Sequence, residues 1–156
     1  MTADRPNSIP WPPLIYLAAI AASVTLAIWV PLPWFGPPLA DILFAAGIVG
    51  MAVAVALDFY AMKTLHDHKT TIMPNRGSSH VVTKGPYAFT RNPIYVGNTL
   101  VMIGGGLVAG VVWFLPLALI AAFITQKLAI EREEKYLDGK FGKFYRDYRK
   151  KVRRWL

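Results

Sequence analysis

Long uncharged apolar runs separated by polar segments dominate the pattern of the chain. Residues 14–30 carry no charge, and residues 42–57 form a second uncharged run between two aspartates. Residues 94–126 contain no Lys, Arg, Asp, Glu or His at all. Because about 20 apolar residues in a helix cross a bilayer core of about 30 Å, the first two runs each predict one span. The third run is long enough for two spans, with a tight turn near residues 110–116.

This pattern predicts an all-α integral membrane protein with four transmembrane helices and a single domain over residues 1–156. A cytoplasmic loop and a C-terminal interfacial helix within the tail, residues 132–156, are expected to flank the helices. A cleaved signal peptide is disfavoured for the first run, because Trp11 and two prolines precede it and a basic segment is nearly absent. The expected spans cover approximately residues 14–31, 40–60, 94–110 and 113–131.

Basic residues give the chain a net charge of +8 and an orientation. Five of the Lys and Arg residues lie between the second and third expected spans, and eleven lie between Lys127 and Arg154. The positive-inside rule places this loop and the tail in the cytoplasm, so both termini are expected there. Topology and anionic headgroups explain these cations, so we expect the membrane as a partner and no nucleic acid.

A polar segment with distinctive residues precedes the third apolar run. Asn92 and Pro93 predict a helix that begins here, because Asn is a strong N-cap and the fixed φ of Pro suits the first turn. The free N–H groups of that turn, with Arg91 beside them, favour an anion. Tyr87 and Phe89 alternate as in an extended segment. The competing interpretation is an ordinary interfacial turn in which Arg91 only anchors the topology.

An acidic cluster follows the last apolar run, on a helix expected to end at Gly139. Glu131 has Lys127 and Lys135 at helical spacing, which explains it as a surface pair. Glu133 and Glu134 have no such basic neighbours and need a cation from elsewhere, unless water at the membrane edge solvates them.

The histidines are less informative. His66 and His68 are expected to lie at the end of the second span as polar interface residues, with His80 further along the loop. No third strong ligand cluster accompanies them, so we expect no metal site.

Two motifs together resemble a known group of enzymes. VVTKGPYAFTRNPIYVGN and, further along, EREEKYLDGKFGKFYRDYRKKVRRW are similar to segments of the isoprenylcysteine carboxyl methyltransferase and phospholipid methyltransferase superfamily of integral membrane enzymes. The resemblance extends from about Thr70 through the tail. Asn92 stands where eukaryotic members usually have His, which resembles the bacterial branch and implies the bacterial inner membrane.

The resemblance implies S-adenosylmethionine as methyl donor, bound at the cytoplasmic face between the two motifs. Such a ligand carries a sulfonium, an ammonium and a carboxylate, so an acidic pair and a basic helix entrance suit it. The implied catalytic residues are Arg91, Tyr95 and Glu134. The implied cofactor-binding residues are His80, Gly85, Tyr87, Arg91, Pro93, Tyr95, Gly97, Glu133 and Glu134.

The methyl acceptor is expected to be a lipid or a prenylated small molecule, most simply an isoprenylcysteine-type carboxylate that Arg91 could orient. A phospholipid amine is the alternative acceptor. An NADPH-dependent isoprenoid or steroid reductase and a non-enzymatic membrane anchor are the competing classes of function. The glycines Gly104–Gly106 predict close helix packing in preference to a groove for a lipid tail.

Overall fold

The computed structural model describes residues 9–70 and 78–156, and the regular elements among these residues are helices, with no strand. A 3₁₀ turn at Gly85–Ala88 precedes the third helix, and a π-helical segment, Gln126–Ile130, joins the fourth helix to the fifth. The all-α prediction is confirmed. The helices are α1 Trp11–Trp29, α2 Leu39–Asp67, α3 Pro93–Ala109, α4 Phe114–Thr125, α5 Glu131–Phe141 and α6 Lys143–Lys151.

Three helices are long and apolar enough to cross a membrane: α1, α2 and the continuous helix Phe114–Phe141 that contains α4, the π segment and α5. Large apolar side chains cover their outer surfaces, as at Ile28 and Phe123, which are 72% and 61% exposed. A helix that is apolar on its outer side suits lipid. Helix α3 is apolar but has 17 residues, so a fourth span stays a prediction.

Glycine brings α2 and α3 together. A Cβ atom added at Gly104 would lie 2.8 Å from the carbonyl oxygen of Gly47 and 2.7 Å from Cγ of Met51. The two backbones therefore pack directly against each other, as small residues permit in membrane helix pairs. The prediction of close packing is confirmed at Gly104. The neighbouring Gly105 has nothing within 4 Å.

The core between α1, α3 and α4 contains Tyr16, Met102, Ala118 and Ala121. The Tyr16 hydroxyl forms a hydrogen bond with Thr99 on α3. This bond satisfies a polar atom inside an apolar bundle, where an unpaired hydroxyl would be costly.

Two of the predicted helix boundaries are confirmed and one is wrong. Helix α3 begins at Pro93, and the turn from α3 to α4 begins at Gly110, whose φ of 66° is left-handed. Helix α5 passes through Gly139 and ends at Phe141. The break comes at Gly142, which adopts the positive φ of 53° that glycine tolerates.

Two local predictions around the third helix are wrong. Tyr87 and Phe89 are not in an extended segment, because Pro86 fixes the first turn of a 3₁₀ helix; Phe89 is 79% exposed, whereas Tyr87 is half-buried. The side chain of Asn92 makes no capping bond to α3. Its Nδ2 instead donates to the carbonyl oxygen of Arg154 at 2.7 Å, because a distant segment lies against this turn.

We expect Gly104→Ala to destabilise the protein and Gly105→Ala to leave it unchanged or slightly more stable. The added methyl at position 104 meets the α2 backbone, so the helices must separate, at a cost of about 1–3 kcal/mol. At position 105 the methyl meets open space, and alanine favours a helix. Thermal unfolding in detergent provides the measurement. Equal unfolding temperatures for the two variants would contradict this account of the contact between α2 and α3.

Candidate active site

A cavity of about 550 Å³ lies where the start of α1, the end of α2, the loop before α3, and helices α5 and α6 meet. Both motifs identified in the sequence contribute to it, although 32 residues separate them. Seven of the predicted cofactor-binding residues line the cavity. They are His80, Tyr87, Arg91, Pro93, Tyr95, Glu133 and Glu134.

The two predicted glycines lie beside the cavity and not on its wall. A Cβ at Gly85 would lie 2.9 Å from Oγ1 of Thr64 on α2, and Gly85 has a φ of 59°. A Cβ at Gly97 would collide with the carboxylate of Asp58 on α2. Both glycines therefore allow the loop and α3 to approach α2 closely, which positions the residues that do face the cavity.

Glu134 is buried between two arginines. Arg91 Nη1 lies 2.9 Å from Glu134 Oε1, while Arg154 contacts both carboxylate oxygens, Nε to Oε1 at 2.9 Å and Nη2 to Oε2 at 2.8 Å. The side chains of Arg91 and Glu134 are 9% and 10% exposed. The sequence predicts that Glu134 needs a cationic partner, and two arginines of the protein itself supply it. Such charge-assisted, two-pronged contacts are among the strong hydrogen bonds in proteins.

Arg154 belongs to a segment, residues 152–156, that returns from α6 to the start of α3; we call it the return segment. The backbone N–H of Arg91 donates to the carbonyl oxygen of Arg153 at 2.9 Å, and the Thr90 hydroxyl donates to the carbonyl oxygen of Arg154 at 3.2 Å. Trp155 Nε1 donates to Gln126 Oε1 at 2.9 Å. Backbone and side-chain bonds therefore fix the return segment on both sides of Arg154.

Glu133 differs from its neighbour because it forms no ion pair within residues 9–70 and 78–156. Its Oε2 accepts a hydrogen bond from the Tyr95 hydroxyl at 3.3 Å. Burial raises the pKa of Glu133 to about 7. Arg91 lines the same cavity, and its Nε is buried without a hydrogen-bond partner. A carboxylate without an ion pair and an arginine in one cavity suit a ligand that carries both a cation and an anion.

Tyrosines of α6 complete the wall, and the sequence did not single them out. Arg91 Nη1 donates to the Tyr145 hydroxyl at 3.2 Å, and the Tyr148 hydroxyl donates to the carbonyl oxygen of Tyr87 at 2.6 Å. Burial raises the pKa of Tyr145 to about 12, and it also raises the pKa values of Tyr87 and Tyr148. These phenols are therefore neutral at physiological pH. Their three-residue spacing on an amphipathic helix is the signal that could have identified Tyr145 and Tyr148.

The histidines lie at the outer edge of the cavity or outside it. His68 follows the end of α2, with its ring Nδ1 2.8 Å from the Thr64 carbonyl oxygen, which fits its predicted place at the end of that helix. His80 lines the cavity and contacts the Ser79 hydroxyl at 3.1 Å. Within the part of the chain that the structure describes, no group of three or more His, Cys, Asp or Glu residues could hold a metal ion.

The apolar helices and the polar cavity at their ends define an integral membrane protein with a ligand-sized site. Residues 42–144 match the family described as phospholipid methyltransferase, so the chain belongs to that family and to the superfamily it shares with the isoprenylcysteine carboxyl methyltransferases. The chain is also 36% identical over 63 residues to an uncharacterized protein of Haemophilus influenzae; this region covers 40% of the chain and 79% of that relative. The family suggests a membrane methyltransferase.

We expect Glu134→Gln to destabilise the protein far more than Glu131→Gln. Removing the charge of Glu134 leaves two arginines close together without their shared partner, at a cost of about 2 kcal/mol or more. Glu131 pairs with Lys127 at 2.7 Å, but both side chains are substantially exposed, so its loss costs less than about 1 kcal/mol. Thermal unfolding in detergent at neutral pH compares the stabilities of the two variants. Similar unfolding temperatures would show that the cluster around Glu134 contributes no special stability.

Proposed function

We propose that the protein transfers a methyl group from S-adenosylmethionine to a lipid-like acceptor at the membrane interface. The observation that carries this proposal is that Glu133, which has no ion pair among the described residues, and Arg91 line one cavity of a phospholipid methyltransferase family member. The cavity volume of about 550 Å³ lies within the range of about 300–1,000 Å³ that is usual for small-molecule sites.

The residues of the cavity fit this cofactor. Glu133 would attract its cationic groups, and the guanidinium of Arg91 would attract its carboxylate. When bound, S-adenosylmethionine supplies an activated methyl group on a sulfonium. Tyr87 and Pro93 contribute walls around that position. We assign His80, Gly85 and Gly97 to the site on the resemblance, with the two glycines acting through their contacts with α2.

We propose catalytic roles for Arg91, Tyr95 and Glu134 that their contacts support. Tyr95 donates to Glu133 and would orient that carboxylate. Glu134 pairs with Arg91 and would hold its guanidinium in position beside a ligand. Holding two reactants in alignment and removing water from them is the main contribution that a protein makes to direct transfer.

We propose a carboxylate of the isoprenylcysteine type as the acceptor. A carboxylate is already ionised and needs no base, and the neutral phenols of Tyr87, Tyr145 and Tyr148 do not act as bases. A phospholipid amine is the second candidate. It is favoured by the unpaired carboxylate of Glu133, which could accept a proton from an ammonium group if Arg91 is occupied by the carboxylate of the cofactor.

The proposed arrangement in the membrane has four spans within one domain, residues 1–156. Helix α3 has 17 residues, or about 25 Å at 1.5 Å per residue, and it packs along α2, so flanking residues complete its crossing. By the positive-inside rule, the basic loop and α6 support a cytoplasmic location for both termini. The bacterial inner membrane is the proposed location.

We expect the purified protein to bind S-adenosylmethionine and its demethylated product in detergent and not to bind NADPH. Glu133→Gln retains the shape of the side chain but removes the charge, so cofactor affinity falls about tenfold or more. Asp138→Asn is the matched control, since Asp138 lies on the same helix and pairs with Arg146 away from the cavity, and cofactor affinity stays within about twofold. Calorimetry provides the measurement. Binding of NADPH with no response to the sulfonium would favour a reductase.

We expect Arg91→Lys to lower turnover strongly if the acceptor is a carboxylate, because lysine cannot reproduce the planar guanidinium contact. Turnover at saturating cofactor should then change little between about pH 6.5 and 8.5, because a carboxylate acceptor with a pKa of about 4 is ionised throughout. Cofactor affinity should instead rise with pH, because burial raises the pKa of Glu133 to about 7 and only its ionised form attracts a cation. Initial rates with labelled methyl donor, at saturating cofactor, measure both. A rate that climbs about tenfold per pH unit, with only cofactor affinity lost in Arg91→Lys, would indicate an amine acceptor.

A further inference from the structure

Arg154 does not line the cavity, but it pairs with Glu134, which does. Arg91 pairs with the same carboxylate, and Arg154 Nη1 also lies 3.8 Å from Oε1 of Glu131. Arg154 contacts both oxygens of Glu134, whereas Arg91 reaches one of them. Glu134 is thereby neutralised mainly from the return segment, and Glu133 remains as the carboxylate without an ion pair among the described residues.

We propose that Arg154 is a positioning residue of the site: it neutralises Glu134 so that Arg91 remains available to an anion and Glu133 alone attracts a cation. This inference rests on the proposed function. Arg91 uses Nη1 on Glu134 and Tyr145, while its Nε is buried without a partner. If Arg154 were absent, Glu134 would have Arg91 as its sole partner in the cluster and would compete with the ligand for it.

Hydrogen bonds of the return segment hold Arg154 in place, unlike a flexible arginine on the surface. Its carbonyl oxygen accepts bonds from Asn92 Nδ2 and the Thr90 hydroxyl, and the indole of Trp155 is bonded to Gln126. The hydrogen bond to Glu134 raises the pKa of Arg154, so the guanidinium is charged. Arg153, the adjacent residue, has an exposed side chain and contributes only its backbone carbonyl to Arg91.

This arrangement makes a prediction about discrimination between two ligands. S-adenosylmethionine carries one more positive charge than S-adenosylhomocysteine, its thioether product. Without the charge of Arg154, the site carries one more negative charge, which favours the sulfonium ligand over the thioether. A merely structural loss would weaken both ligands by the same factor and leave their affinity ratio unchanged.

The test measures the Kd of both ligands by calorimetry in detergent for the wild type, Arg154→Gln, Arg154→Lys and Arg153→Gln. For Arg154→Gln we expect weaker binding of the thioether and a ratio of the two Kd values shifted toward the sulfonium by about threefold or more. Arg154→Lys retains the charge, so the ratio should stay at the wild-type value although both affinities fall. Arg153→Gln removes an equal charge from an exposed side chain and should leave both affinities within about twofold.

Each outcome decides between distinct explanations. If the wild type binds neither ligand, the proposed function is wrong and this inference falls with it. If the wild type binds both and Arg154→Gln leaves the ratio unchanged, the positioning role is wrong while the proposed function stands. An equal ratio shift in Arg153→Gln would likewise overturn the role of Arg154. Arg154→Met, which retains an apolar stem, replaces Arg154→Gln if that variant does not fold, with the same expected ratio.

Discussion

Glu134 and its two arginines form the interaction on which the polar end of the molecule depends. A carboxylate that is 10% exposed next to apolar helices is unfavourable unless cations and hydrogen bonds compensate it. Arg91 supplies one cation from the start of α3, and Arg154 supplies another from the return segment. The buried carboxylate of Glu134 therefore joins α5, the start of α3 and the return segment. Part of the cavity wall forms where α5 and the start of α3 meet.

The helices set where this cluster can lie. Contact between Gly47 and Gly104 and the close approach of Gly97 to Asp58 place α3 directly on α2, so Arg91 enters the bundle at a defined point. Apolar outer surfaces leave the ends of the helices as the place where charged groups can be solvated or paired. The site combines low exposure with access to the interface, which suits a water-soluble cofactor and a lipid-like acceptor.

Features determined by local spacing could be predicted from the sequence. The apolar runs predict helices, Pro93 predicts the start of α3, and the spacing of Lys127 and Glu131 predicts their ion pair. Features that depend on distant residues could not. Arg154 lies 20 residues after Glu134 in the sequence. An isolated β-bridge between Thr90 and Arg153 holds the return segment near Glu134, and no periodicity in the sequence indicates this bridge. The use of Asn92 as a donor to the return segment, in place of helix capping, has the same origin.

Adjacent glutamates with identical chemistry acquire different roles because successive residues of an α-helix point about 100° apart. Glu134 is directed at Arg91 and Arg154, whereas Glu133 is directed at Tyr95. If both carboxylates lacked ion pairs, their mutual repulsion would favour protonation of one of them and reduce the attraction for a cation. Pairing Glu134 with two arginines reduces this repulsion, although burial still raises the pKa of Glu133 to about 7. The acidic pair therefore contains one carboxylate held by two arginines and one without an ion pair among the described residues, which we propose as the ligand-binding charge.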